Sequence, residues 1–173
     1  MQVNKAVNQQ MISSVKQWLS PTQSNVLLDF FCGSGNFALS LAEDVSLVKG
    51  FEGIHEMVQR ANENATINRI DNTEFAIMDL SSIEHLGPLF EEGNGLDEHT
   101  IAILDPSREG AAVLCQCLAN SPIEKIVYVS CNANSFVRDA AFLLDSYRME
   151  KIKALDMFPF TKHIELMALF IKK

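Results

Sequence analysis

Several features that would assign a class of protein directly are missing from these 173 residues. No apolar run reaches the roughly 18 residues that a membrane-spanning helix needs, so we expect no membrane span. The four cysteines are too few for a secreted disulfide scaffold, and none has the C-x-x-C spacing of zinc ligands. The first ten residues also lack the apolar region of a signal peptide. We therefore predict a cytoplasmic protein with reduced thiols and no metal.

Basic residues are also scarce: 14 lysines and arginines stand against 22 acidic residues, for a formal net charge of −8. Such a balance by itself argues against a nucleic acid as partner. The charge is unevenly distributed, however, because residues 1–124 carry a net −11 and residues 125–173 a net +3. Only the last third of the chain is therefore suited to contacts with phosphate.

What is present is an alternation of short apolar runs with amphipathic stretches, in a chain that is 47% hydrophobic. This composition predicts one globular domain over residues 1–173. The alternation predicts an α/β protein whose mostly parallel, doubly wound sheet has its binding site at the carboxyl ends of the strands. An antiparallel strand pair is expected at the C-terminus. Helices are predicted at 3–19, 36–42, 54–68, 111–119 and 135–144, strands at 26–30, 47–51, 73–77, 101–104, 126–130, 148–156 and 164–171, and a surface loop at 91–98.

A glycine-rich segment, Asp29-Phe30-Phe31-Cys32-Gly33-Ser34-Gly35, follows the first predicted strand and precedes a helix. Glycines at such a turn let the backbone approach a ligand closely. Glu52 ends the next strand, where a carboxylate can accept hydrogen bonds from ribose hydroxyls. Taken alone, the pattern fits a dinucleotide, S-adenosylmethionine or a tight turn without a ligand.

Three further motifs place reactive groups at strand ends. Asp105-Pro106 and Ser130-Cys131-Asn132 end the fourth and fifth strands, so a carboxylate and a thiol should meet at the mouth of the sheet. A helix N-terminus near the thiol would lower its pKa and favour the thiolate. Glu165 lies in an otherwise apolar strand, which predicts a raised pKa. The alternatives are a structural turn at Asp105-Pro106 and simple packing for Cys131.

Taken in order, these motifs resemble the family of RNA uracil-5-methyltransferases over essentially the whole chain. The resemblance begins at Gln2-Val3-Asn4 and ends at His163-Ile164-Glu165. Segments 126–132 and 155–159 look most like the bacterial branch that methylates 23S ribosomal RNA, and the tRNA-modifying branch is the alternative. The resemblance implies a Rossmann-like, S-adenosylmethionine-dependent methyltransferase fold and methylation of C5 of a uridine in RNA.

The resemblance also implies residue roles. Cys131 would be the nucleophile that adds to C6 of the uracil, and Glu165 the general base. S-adenosylmethionine would be the cofactor, with Asp79 a less secure contact because its position varies in relatives. The cofactor site would be lined by Gln2, Phe31, Gly33, Gly35, Asn36, Glu52, Asp79 and Asp105.

Members of this family carry RNA-binding regions upstream of the Gln2 motif, and here the chain starts almost at that motif. We therefore expect a fragment or a shortened gene product that binds the cofactor, binds RNA weakly and methylates RNA poorly or not at all by itself. Three other functions fit parts of the pattern. They are a binding module without catalysis, a nicotinamide-dependent oxidoreductase suggested by the glycine turn, and a methyltransferase that acts on protein or DNA amines.

Overall fold

The computed structural model describes residues 5–91, 93–156 and 164–173. These residues form seven strands in one sheet, with helices between the strands. The helices are α1 Lys5–Leu19, α2 Asn36–Leu41, α3 His55–Asn68, α4 Ile83–Phe90, α5 Ala112–Ala119 and α6 Ala133–Leu143. The strands are β1 Val26–Phe30, β2 Leu47–Glu52, β3 Thr73–Ile77, β4 Thr100–Leu104, β5 Lys125–Ser130, β6 Tyr147–Asp156 and β7 Ile164–Lys172.

The sheet has the strand order β3-β2-β1-β4-β5-β7-β6. The first five strands pair in parallel, and β7 lies antiparallel between β5 and β6. The order reverses between β1 and β4, which creates the crevice at the carboxyl ends of these strands where ligands bind in open α/β sheets. The predicted α/β sheet with an antiparallel edge pair is confirmed.

Two apolar clusters hold the layers together, one on each face of the sheet. Residues of α1 and α2 pack against one face, and residues of α5 and α6 against the other. The central strand β4 is buried along its whole length. Strands covered on both faces read as continuous apolar runs, which is why the sequence predicted them well.

One helix differs from the sequence prediction. Residues Ile83–Phe90 form α4, although the segment contains Gly87 and Pro88. Both residues disfavour a helix interior, so local propensity gave no helix here. Leu86 is fully buried in the same cluster as α5, so tertiary packing stabilises this helix. Among the described residues, no helix is long and apolar enough to cross a membrane.

Candidate functional site

The turn between β1 and α2 requires its glycines. Gly33 and Gly35 have φ values of 55° and 90°, and Phe31 also has a positive φ of 64°. A Cβ added at Gly35 would lie 2.9 Å from the Leu39 side chain. The left-handed backbone and the close packing of α2 therefore both favour glycine at this position.

Glu52, at the end of β2, is bound to this turn. Its carboxylate accepts hydrogen bonds from the backbone N–H groups of Gly33 and Ile54, each at 3.1 Å. A carboxylate has about four acceptor positions, so two backbone bonds leave capacity for ligand hydroxyls. The side chain is thus held at the rim of the sheet, and its role with ribose stays a prediction.

Two cavities meet at Phe31, which lines both. They have volumes of about 880 and about 730 Å³. The predicted cofactor residues in the larger cavity are Phe31, Gly33, Gly35, Asn36 and Asp105, and those in the smaller one are Phe31, Glu52 and Asp79. Gln2 lies outside the described residues.

Two of these side chains are engaged with neighbours. The Asn36 amide forms a reciprocal pair with that of Asn8 on α1, with both N···O distances at 2.9 Å. Asp79 is exposed beyond the end of β3, and hydrogen bonds from the Ser81 hydroxyl and N–H lower the pKa of its carboxyl. Asn36 therefore links α1 to the glycine turn, and Asp79 forms part of the cavity rim.

Asp29, on β1, is a buried acid at the start of the glycine-rich segment that was not predicted to belong to the site. One carboxylate oxygen accepts the N–H of Ala38 at 2.8 Å, and the other has no hydrogen-bond partner among the described residues. Burial raises the pKa of Asp29 to about 8, with smaller contributions from Asp105 and Glu52. The raised pKa thus favours the protonated, neutral form of Asp29 near pH 7.

Asp105 follows β4 and lines the larger cavity. Burial, together with a smaller contribution from the charge of Glu165, raises its pKa to about 7. Burial likewise raises the pKa of Glu165, which is half-buried on β7. The predicted rise for Glu165 is confirmed. The two carboxyl groups are close enough to influence each other, although they come from distant parts of the sequence.

Cys131 directly follows β5, and Glu165 lies near the start of the neighbouring strand β7. The pairing of β5 with β7 ends at Ser130 and Leu166, so Cys131 and Glu165 are each the next residue beyond that last pair. Glu165 is close enough for its charge to raise the pKa of the Cys131 thiol. Neither Cys131 nor Glu165 lines either cavity. Asp105 lines the larger cavity and interacts electrostatically with both of them.

The expectation of a lowered thiol pKa is wrong. Helix α6 begins at Ala133, close to Cys131, yet burial raises the pKa of the thiol and the charge of Glu165 raises it further. The charge of Arg108 acts in the opposite direction. Loss of solvation and the neighbouring carboxylate thus outweigh the contributions that lower the pKa, which come from a backbone hydrogen bond and Arg108.

Asp139, on α6, is a fully buried carboxylate that the sequence analysis missed. It sits on the apolar stripe formed by Phe136, Ala140 and Leu143. A charged residue at helical spacing within such a stripe is costly unless it is paired. An acidic residue on this apolar stripe was therefore the sequence feature that could have identified Asp139. In the structure its carboxylate accepts a hydrogen bond from the loop after β4.

Comparison with known proteins assigns the family. The family model described as tRNA (Uracil-5-)-methyltransferase matches residues 1–173. The chain belongs to this family. The predicted family is thereby confirmed, and membership decides against the nicotinamide-dependent oxidoreductase suggested by the glycine turn alone.

Relatives of this chain include ribosomal RNA enzymes. The chain is 46% identical over 171 residues to the 23S rRNA (uracil(1939)-C(5))-methyltransferase RlmD of Methylococcus capsulatus, covering 98% of this chain and 38% of that protein. It is 42% identical over 173 residues to the RlmD of Alteromonas mediterranea, covering 99% of this chain and 35% of that protein. The chain therefore spans little more than a third of the length of these relatives.

Solved structures agree with the fold. The tRNA (uracil-54, C5)-methyltransferase of Pyrococcus abyssi, in complex with S-adenosyl-L-homocysteine, has 30% identity and a TM-score of 0.81, covering 99% of this chain and 40% of that chain. TYW2 of M. jannaschii, in complex with AdoMet, has a TM-score of 0.68 at 15% identity and covers 100% of this chain and 78% of that chain. The Rossmann-like methyltransferase fold is confirmed. Within the described residues, no cluster of three or more His, Cys, Asp or Glu could hold a metal ion.

Proposed function

We propose that this chain performs methyl transfer to C5 of a uridine in RNA, with 23S ribosomal RNA as substrate and S-adenosylmethionine as methyl donor. The observation that carries the proposal is the closeness of Cys131, just after β5, to Glu165 on the paired strand β7 and to Asp105 of the larger cavity. The relatives named for 23S rRNA methylation, at 42–46% identity, favour the ribosomal substrate.

The chemistry of the two cavities fits S-adenosylmethionine. Asp105 places a carboxylate where it can attract the positive charge of the methyl donor. The Glu52 carboxylate can still accept hydrogen bonds from ribose hydroxyls. Ile54 and Met78 give the smaller cavity an apolar wall suited to a purine. When bound, S-adenosylmethionine would supply the methyl group to C5 and leave as the neutral thioether S-adenosylhomocysteine. The complex of the Pyrococcus abyssi relative with S-adenosyl-L-homocysteine supports this assignment.

Cys131 activates the base. Its thiolate adds to C6 of the uracil, and the electron pair of the C5–C6 double bond moves into an enolate, so that C5 becomes nucleophilic. Because burial raises the pKa of this thiol, it must be deprotonated as the substrate binds. The charge of Arg108, which lowers that pKa, assists the ionisation.

Glu165 completes the reaction. Once C5 carries the methyl group, the Glu165 carboxylate accepts the C5 proton. The C5–C6 double bond forms again and the thiolate leaves C6, which returns Cys131 to its starting state. The raised pKa of Glu165 suits a base that works near neutral pH.

Binding of the RNA needs more than this chain offers. The uridine must be unpaired or flipped to reach the thiol. Phosphate contacts normally supply most of the affinity, and the net charge of −8 disfavours them. We therefore propose that further RNA-binding regions of the whole protein supply most of the affinity for RNA. We also propose that the protein acts in the cytoplasm.

Two alternatives follow from specific observations. The family description and the Pyrococcus abyssi structure both name tRNA, so a tRNA uridine is the alternative substrate. The acidic surface and the raised pKa of Cys131 favour the second, a cofactor-binding domain that is inactive without its RNA-binding regions.

Covalent trapping tests the proposal. RNA that contains 5-fluorouridine cannot lose its C5 substituent as a proton, so the adduct with the thiol should persist on a denaturing gel. With S-adenosylmethionine present and RNA at a concentration high enough to offset the weak RNA binding of this chain, we expect an adduct with the unchanged chain and with Cys117→Ala, and none with Cys131→Ala. Cys117 is a matched control because it is also half-buried, with a pKa also raised by burial, and it lines neither cavity.

The outcomes separate the alternatives. An adduct that persists in Cys131→Ala would contradict the assignment of the nucleophile. Heat on titration with S-adenosylhomocysteine, combined with no adduct in the unchanged chain, would favour the inactive binding domain. No heat at all would refute the cofactor assignment. Comparing 23S rRNA and tRNA fragments in the same assay decides between the two substrates.

A further inference from the structure

The buried carboxylate of Asp139 lies outside both cavities and connects the loop after β4, residues 105–111, to the end of β5 and the start of α6, on either side of Cys131. Asp139 accepts hydrogen bonds from the N–H of Ala111 and the hydroxyl of Tyr128, each at 2.6 Å, and from Nε of Arg138 at 2.8 Å. Every one of these partners donates. Only an acceptor with two oxygens satisfies all of them at a site without solvent.

The same region anchors the loop after β4 at further points. The guanidinium of Arg138 donates to the carbonyl of Glu109 at 2.7 Å, and the side chain of Asn132 donates to the carbonyl of Arg108 at 3.0 Å. Gly110 has a φ of 80°, and a Cβ added there would overlap the Asp139 carboxylate. The loop is therefore held from the β5–α6 side along several successive residues.

The position of this loop determines the shape of both cavities. Its first residue, Asp105, lines the larger cavity, and residues Ser107 and Glu109–Ala111 line one wall of the smaller one. The β5–α6 junction, to which the loop is bound, carries Cys131. Asp139 lines neither cavity, so any effect on ligand binding must pass through its partners, which are the loop and Arg138, a side chain that both anchors the loop and lines the smaller cavity.

We propose that Asp139 is a positioning residue that holds the loop of residues 105–111 against the β5–α6 junction, so that the cofactor cavities and the Cys131 thiol keep a fixed relation. The inference rests on the proposed function, because it takes the two cavities as the S-adenosylmethionine site. A purely structural role would instead stabilise the fold and leave the affinity for the cofactor unchanged.

Two single substitutions separate these roles. In Asp139→Asn, the amide NH₂ must face at least one of the three donors, so the loop anchor at Ala111 or the one through Arg138 is lost. In Tyr128→Phe, one bond to the same carboxylate is lost, but Tyr128 makes none of the bonds that hold the loop. Both variants remove buried polar contacts, and only the first releases the loop.

The test is calorimetric titration of the 173-residue chain with S-adenosylhomocysteine, at a temperature well below the unfolding midpoint of each variant. We expect Asp139→Asn to weaken binding by about tenfold or more and Tyr128→Phe by about twofold at most. Amide hydrogen exchange within the loop, over residues 107–111, should accelerate in Asp139→Asn, whichever anchor is lost, and remain unchanged in Tyr128→Phe.

Several results would overturn the inference. Unchanged affinity in Asp139→Asn would make Asp139 purely structural, and an equal loss in Tyr128→Phe would point to general destabilisation. If Asp139→Asn does not fold, Gly110→Ala takes its place, because it displaces the same loop and leaves the carboxylate intact. Unchanged affinity of Gly110→Ala for S-adenosylhomocysteine would contradict the inference. If the unchanged chain does not bind, the proposed function fails instead, and the exchange rate over residues 107–111 still tests the anchor.

Discussion

Replacing Asp29 with asparagine is expected to remove much of the pH dependence of this chain's stability. Burial raises the pKa of Asp29 to about 8 in the folded chain, from 3.8 in an exposed carboxyl. Asparagine resembles the protonated acid in shape. It also retains an oxygen that can accept the N–H of Ala38, as the Asp29 carboxylate does at 2.8 Å. The variant therefore keeps the packing and loses only the ionisation.

The sign and size follow from the two pKa values. Between about pH 4 and about pH 8 the folded chain retains the Asp29 proton while the unfolded chain has lost it, so stability falls as the pH rises, by about 1.4 kcal/mol per pH unit. From about pH 5 to about pH 7, wild type should therefore lose about 3 kcal/mol relative to Asp29→Asn. Asp105, with a folded pKa of about 7, adds a loss of the same sign to both proteins.

Urea unfolding followed by circular dichroism measures this difference. The free energy of unfolding is extrapolated to water at each pH for wild type, Asp29→Asn and the control Asp71→Asn, which changes an exposed aspartate. The control should follow wild type at every pH. If the curves of wild type and Asp29→Asn run parallel across this range, the buried carboxyl does not hold its proton and the reasoning is refuted.

Three further predictions concern other positions. A Cβ at Gly50 would lie 2.5 Å from the Phe75 ring, so Gly50→Ala should lower stability by about 1–3 kcal/mol in thermal unfolding. As Asp105 ionises above its pKa of about 7, the preference for the sulfonium S-adenosylmethionine over S-adenosylhomocysteine should increase with pH in calorimetry and stay constant in Asp105→Asn. The Tyr147 hydroxyl donates to the Ile123 carbonyl at 2.8 Å, so Tyr147→Phe should cost about 1–2 kcal/mol in urea unfolding and leave S-adenosylhomocysteine binding unchanged.

The fold was largely predictable because its central strands are buried on both faces. Such strands consist almost entirely of apolar residues, and the segments 26–30 and 101–104 were predicted within a residue of β1 and β4. The helix α4 was not predictable, since Gly87 and Pro88 oppose helix formation locally. Its stability comes from Leu86, whose burial depends on neighbours far away in the sequence.

The candidate site was predictable at the level of residues and much less so at the level of their chemistry. The glycine turn, Glu52 and Asp105 came from local motifs that end strands, and such motifs meet at one edge of any parallel sheet. The pKa of Cys131 was predicted in the wrong direction. Its pKa depends on burial and on the charge of Glu165. Both arise only when β5 pairs with β7 in the folded chain.

The sequence by itself determined the order of strands and helices, the family, and the set of reactive side chains, because these depend on short-range patterns. Tertiary structure decided which of those side chains are charged and what holds them in place. The raised pKa of Asp29 and the anchoring of the β4 loop by Asp139 both depend on loss of solvent and on partners from distant segments. Solvation and partner geometry are properties of the packed molecule, so no local pattern in the chain specifies them.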